Sequence, residues 1–139
     1  MNQKSSFMNV FLFKPLLSVL FFSILFCAIH YLSLGYYLNE IQQARFYYPV
    51  FQIYFLFGSC SLLIIAFLIF VKTKNLDYVG NCFMLLTMLK IGIACVFLYK
   101  INHNNHPYLF FEKISFFAVF ILFLAIETLI TVRLLNKKQ

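Results

Sequence analysis

Two charged side chains stand inside stretches of sequence that otherwise carry no charge. Lys90 lies in an apolar run at 79–99, and Glu127 in a second at 114–132. A charge at the centre of a lipid-spanning helix costs about 2.5–3.5 kcal/mol on insertion scales. Such residues therefore turn toward a protein interior, find a partner and mark a functional position. A base and an acid on consecutive segments offer three chemistries. They can form an ion pair that fixes the interior, present a charge to another membrane protein, or make a short proton or ion relay.

Little else in the chain could do chemistry. Cys27, Cys60, Cys82 and Cys95 all fall within apolar runs, with no pair at metal-ligand spacing, and read as small hydrophobes. The loop sequence His103-Asn104-Asn105-His106 has only Glu112 as a nearby acid, too few ligands for zinc. His30 is alone within a span, so no second histidine faces it across a haem. It is expected to hydrogen-bond inside the bundle or to Tyr37. The chain has no phosphate loop, nucleophile elbow or metalloprotease helix. No catalytic residue, metal or cofactor is assigned, and an enzyme is not expected.

The elements that would hold the pair follow from composition. The 139 residues are 63% hydrophobic and only 11% charged, against about 25% charged in soluble domains. Four apolar runs, 15–38, 50–71, 79–99 and 114–132, are each near the ~20 residues that cross a bilayer core. They predict an all-α integral membrane four-helix bundle in a single membrane domain. The first run exceeds the ~7–15-residue core of a cleaved signal, despite the triplet Ser33-Leu34-Gly35, and is read as a retained helix.

Short connections predict up-down-up-down topology. Lys4, Lys14, Lys72, Lys74, Arg133, Lys137 and Lys138 fall on one side, and Arg45, Lys100 and Lys113 on the other. This imbalance puts both termini in the cytoplasm. The net charge of +7 is that of span flanks contacting anionic lipid and calls for no nucleic acid. Tyrosines at the span ends, among them Tyr36, Tyr37, Tyr47, Tyr48, Tyr78, Tyr99 and Tyr108, supply the interfacial belt. Pro15 is expected to open the first helix and Pro49 to precede the second.

Helical spacing then selects inward faces. On the third span the stripe is Phe83, Thr87, Lys90, Ala94 and Phe97. On the fourth it is Phe120, Phe123, Glu127 and Thr131. Ser23, His30, Ser33 and Tyr37 share a face on the first span. Gln52, Ser59 and Ala66 align on the second, where Gly58-Ser59-Cys60-Ser61 makes the helix thin. The candidate polar interior is thus Ser23, His30, Gln52, Ser59, Thr87 and Thr131, around Lys90 and Glu127. Counted from the cytoplasmic ends of the spans, Lys90 lies about 17 Å deep and Glu127 about 8 Å, a stretched geometry for a pair.

The stretch Val79-Gly80-Asn81-Cys82-Phe83-Met84-Leu85-Leu86-Thr87-Met88-Leu89-Lys90-Ile91-Gly92 resembles the third span of the ATP synthase protein I family. Those are small bacterial four-span proteins with a lysine at that point. The segments Phe123-Leu124-Ala125-Ile126-Glu127 and Arg133-Leu134-Leu135-Asn136 resemble a related uncharacterised group of bacterial four-span membrane proteins. The resemblance covers the C-terminal half, and Glu127 departs from the ATP synthase protein I pattern. It implies a bacterial inner-membrane, non-catalytic accessory or assembly protein. Such a protein would work by helix–helix contact with a larger complex such as the rotary ATP synthase, with Lys90 offered to a rotor carboxylate. The alternatives are a small oligomeric ion or proton conductor using Lys90 and Glu127, or an accessory subunit of another membrane complex. The expected partners are the lipid bilayer, another integral membrane protein and, for a conductor, further copies of the chain.

Overall fold

The computed structural model describes residues 3–37, 46–103 and 107–136. Four helices are found there: α1 (Gln3–Tyr37), α2 (Val50–Lys74), α3 (Tyr78–His103) and α4 (Leu109–Asn136). Each is long and apolar enough to cross a membrane. In lipid every backbone polar group must be satisfied within its own segment, which is why these runs are helical throughout. Arg45, Asn104, Asn105, His106, Lys137, Lys138 and the side chains of Lys4 and Tyr37 lie outside the described residues.

The helices extend past the apolar runs. Pro15 does not open α1 but lies within it. Pro49 does precede α2; its extended backbone (φ −59°, ψ 146°) turns the chain, and its carbonyl accepts the Gln52 N–H at 2.9 Å. Lys72 and Lys74 lie in the last turn of α2, where cations favour the helix dipole. The Lys72 ammonium also reaches the Leu134 carbonyl near the end of α4, at 2.5 Å. At the start of α4 the first turn carries Glu112, an anion at the favoured end.

Helices α2 and α4 form the central pair, with α3 packed on both and α1 mainly on α2. Phe57, Ile65 and Leu68 of α2 meet Phe116, Val119 and Phe123 of α4 in the fully buried core. The flanking helices contribute little to it: among the described residues α1 buries only Val19 and Leu34. Gly58 marks the junction of three helices. A Cβ there would stand 3.3 Å from Ser23 Oγ on α1 and 3.6 Å from Phe123 Cζ on α4.

The inward faces of α3 and α4 are those their charges indicate, since Lys90, Ala94, Phe123, Glu127 and Thr131 are all buried. The face of α2 is a correction. Gln52 and Ala66 are exposed and Ser59 only half-buried, while Tyr54, Phe57, Ser61, Ile65 and Leu68 point inward. Gln52 and Ser61 are nine residues apart, about 180° around the helix at ~100° per residue. Polar residues were a poor guide on a helix that is apolar all round. Its inward face is set by which large side chains fit against α4, and small polar side chains can face lipid near an end.

Candidate functional site

Three helices build the charged centre. Lys90 of α3 donates from Nζ to Glu127 Oε1 of α4 at 2.5 Å and to Ser61 Oγ of α2 at 3.0 Å. The Ser61 hydroxyl donates in turn to the Phe57 carbonyl at 2.7 Å. The ammonium also lies 5.6 Å from the Phe57 ring centre and 5.5 Å from that of Phe123, within range of a cation–π attraction. Lys90 is 1% exposed, Glu127 and Ser61 not at all. The stretched geometry expected of this pair is not what forms. Helix α4 continues to Asn136 rather than stopping near residue 132, so Glu127 lies about 14 Å from its helix end. Lys90 lies about 18 Å from the start of α3, and its flexible stem spans the difference.

One acceptor in this centre is left over. Among the described residues Glu127 Oε2 is buried without a hydrogen-bond partner. Thr131 donates to the Glu127 backbone carbonyl, not to the carboxylate. Thr87 is half-buried and bonds the Phe83 carbonyl one turn back.

A second polar layer joins α1, α2 and α4. His30 has Nδ1 3.3 Å from Tyr54 Oη and Nε2 3.3 Å from Ser115 Oγ. The Tyr54 hydroxyl donates to the Phe26 carbonyl at 3.2 Å. A phenol has one proton, so its oxygen must accept from Nδ1–H if all three contacts hold. Nε2 is then the bare nitrogen and accepts the Ser115 proton. His30 thus bonds Tyr54 and Ser115 on two other helices. The side chain of Tyr37, the expected partner on its own helix, lies outside the described residues.

Sequence reasoning missed Ser115, Tyr54 and above all Glu112. Lying just ahead of the apolar run at 114–132, Glu112 is fully buried in the first turn of α4 and accepts the Tyr48 N–H at 2.9 Å. That bond ties the segment before α2 to α4. The phenol of Tyr48 is pushed up from its usual range, first by burial, then by Tyr47 and Glu112, so it remains neutral. The available signal was an acid just ahead of an apolar run, a mark of a helix start.

Phenylalanines fill the space between the layers. Phe57 meets Phe116 and Phe120 edge-on at 5.1 and 5.6 Å, and Phe123 meets Tyr54 at 5.9 Å. Of the remaining candidates, Ser23 borders a cleft between α1 and α2, and Ser59 bonds, among the described residues, only the Leu56 carbonyl of its own helix. Ser33 is exposed and bonds the His30 carbonyl. His103 is exposed and stacks on Tyr99. No three His, Cys, Asp or Glu side chains gather among the described residues in a way that could hold a metal ion. Neither a family model, nor a curated protein, nor a solved structure matches the chain.

Proposed function

We propose that this is a non-catalytic accessory or assembly protein of the bacterial inner membrane, acting by helix–helix contact with a larger membrane complex. In this reading the chain runs up-down-up-down with both termini in the cytoplasm, as its basic flanks favour. The observation that supports it best is the closure of the charged centre. Lys90 is spent on Glu127, Ser61 and two aromatic rings inside the bundle. The surfaces left for a partner are apolar outer faces, most extensive on α1 and α3, where Leu17, Phe21, Met84 and Met88 are exposed. Association in lipid proceeds through such packing, without a hydrophobic drive. Should the complex be the rotary ATP synthase, as the resemblance implies, a rotor carboxylate reaches Lys90 only by displacing Glu127.

The second reading, a small oligomeric ion or proton conductor, draws on the unpartnered Glu127 Oε2 beside Lys90. The phenylalanine layer between the two polar layers weighs against it. Purified protein in liposomes separates the two. The expected result is no proton or cation flux above empty vesicles. Native-membrane crosslinking should then recover subunits of one membrane complex; those of the ATP synthase membrane sector would identify it. A flux lost on Glu127→Leu overturns the contact reading in favour of conduction.

A further inference from the structure

We propose that α1 is a releasable arm, seated on the α2–α4 pair by the His30 latch. Three observations converge. The apolar stretch of α1 is almost wholly unburied, whereas α2 turns half of its own inward. The seam between α1 and α2 is underfilled: a cleft of about 540 Å³ lies along Ser23, Cys27, Tyr31, Phe51 and Tyr54. A smaller one of about 160 Å³ continues it past Val19 and Leu62. Against this loose packing stands a polar attachment among the described residues, His30 held by Tyr54 on one ring nitrogen and Ser115 on the other, with the Tyr54 hydroxyl also on the Phe26 carbonyl.

The contrast with α3 carries the argument. That helix is also mostly unburied, but its Lys90 is locked to Glu127, and releasing it would strand two charges in lipid. Releasing α1 strands none among its described side chains. A neutral imidazole, a phenol and a serine hydroxyl part, and Ser115 can turn its proton back to its own helix, as Thr128 and Thr131 already do on α4. Packing and interhelical polar bonds hold helices together in lipid, so the helix with the least buried apolar stretch and, among the described residues, no ion pair lifts first. The inference does not depend on the identity of the partner complex.

Trapping across the seam tests it. In a background with Cys27, Cys60, Cys82 and Cys95 changed to alanine, Ser23→Cys and Gly58→Cys face each other where a Gly58 Cβ would come within 3.3 Å of Ser23 Oγ. Membranes are oxidised with copper phenanthroline and the intramolecular disulfide is read as a gel shift. The pair should crosslink readily. His30→Leu should slow crosslinking about fivefold, the scale of one or two interhelical hydrogen bonds, with Tyr54→Phe intermediate and Ser33→Ala without effect. His30→Leu protein should still elute as the parent does, because the α2–α4 pair is intact. An unchanged rate in His30→Leu, no crosslink in the parent, or slowing accompanied by collapse of the elution profile would each overturn the latch.

Discussion

The two polar layers solve the same problem by different means. Around Lys90 the bundle buries full charges and cancels them. Around His30 it buries neutral groups and joins them through hydrogen bonds of defined direction. Both layers bridge three helices, yet their energetics differ. A buried ion pair gains little over a well-packed apolar replacement, but breaking it is severe, because the survivor keeps its charge and loses its partner. A neutral interhelical hydrogen bond in a membrane is worth about 0.6 kcal/mol on average. The charged layer is therefore a device for specifying how α3 meets α4, and the imidazole layer is a fastening that can be undone.

The largest effect should come from splitting the pair. Lys90→Met alone should destabilise by about 3–5 kcal/mol, and Glu127→Gln by less, since the orphaned ammonium keeps Ser61 and two rings. Lys90→Met with Glu127→Gln should recover part of the loss, because no charge is left unpaired. Thermal unfolding in detergent, followed across the double-mutant cycle, reads the coupling directly. Additive losses would mean that the contact contributes no more than its surroundings, and the contrast between layers would fail.

Glu112 sharpens the comparison, being a buried carboxylate outside the Lys90 centre. Its Oε1 accepts a backbone N–H at the start of α4, where the dipole favours an anion. Glu112→Gln keeps an acceptor and loses the charge, and should cost about 1–2 kcal/mol in the same unfolding measurement. Glu112→Leu should cost more, since it also orphans the Tyr48 N–H. If the two substitutions cost the same, the charge rather than the hydrogen bond is what matters at that end.

The chain showed some of this plainly and hid the rest for physical reasons. A charge within an apolar run is a rare and costly event, so Lys90 and Glu127 fixed both the position and the rotational phase of α3 and α4. The phase of α2 had no such marker. Its one buried serine, Ser61, is two residues from Ser59, and nothing in the residue types separates them. Glu112 was hidden by its address, just outside an apolar run whose helix begins earlier than its hydrophobicity does. The His30 partners lie 24 and 85 residues away, and no local spacing points to them.

The two serines of α2 test which of its faces is inward, and the smallest predicted effect, that of Ser59→Ala, is the reference. Ser61→Ala should cost about 1–2 kcal/mol, because it removes the hydroxyl that receives a Lys90 proton in a fully buried position. Ser59→Ala deletes a bond to its own helix on the half-buried side, where a surface substitution shifts stability by about 0.5 kcal/mol or less. Larger side chains widen the gap. Leucine at 59 has a cleft beside it, bordered by Phe55 and Leu62. Leucine at 61 must enter the space between Lys90 and the Phe57 carbonyl, displacing an ammonium that has nowhere polar to go. Measured side by side, Ser61→Leu should unfold far below Ser59→Leu. Equal midpoints would mean that α2 is rotated by about half a turn, Lys90 then lacks its serine, and the charged layer rests on Glu127 alone.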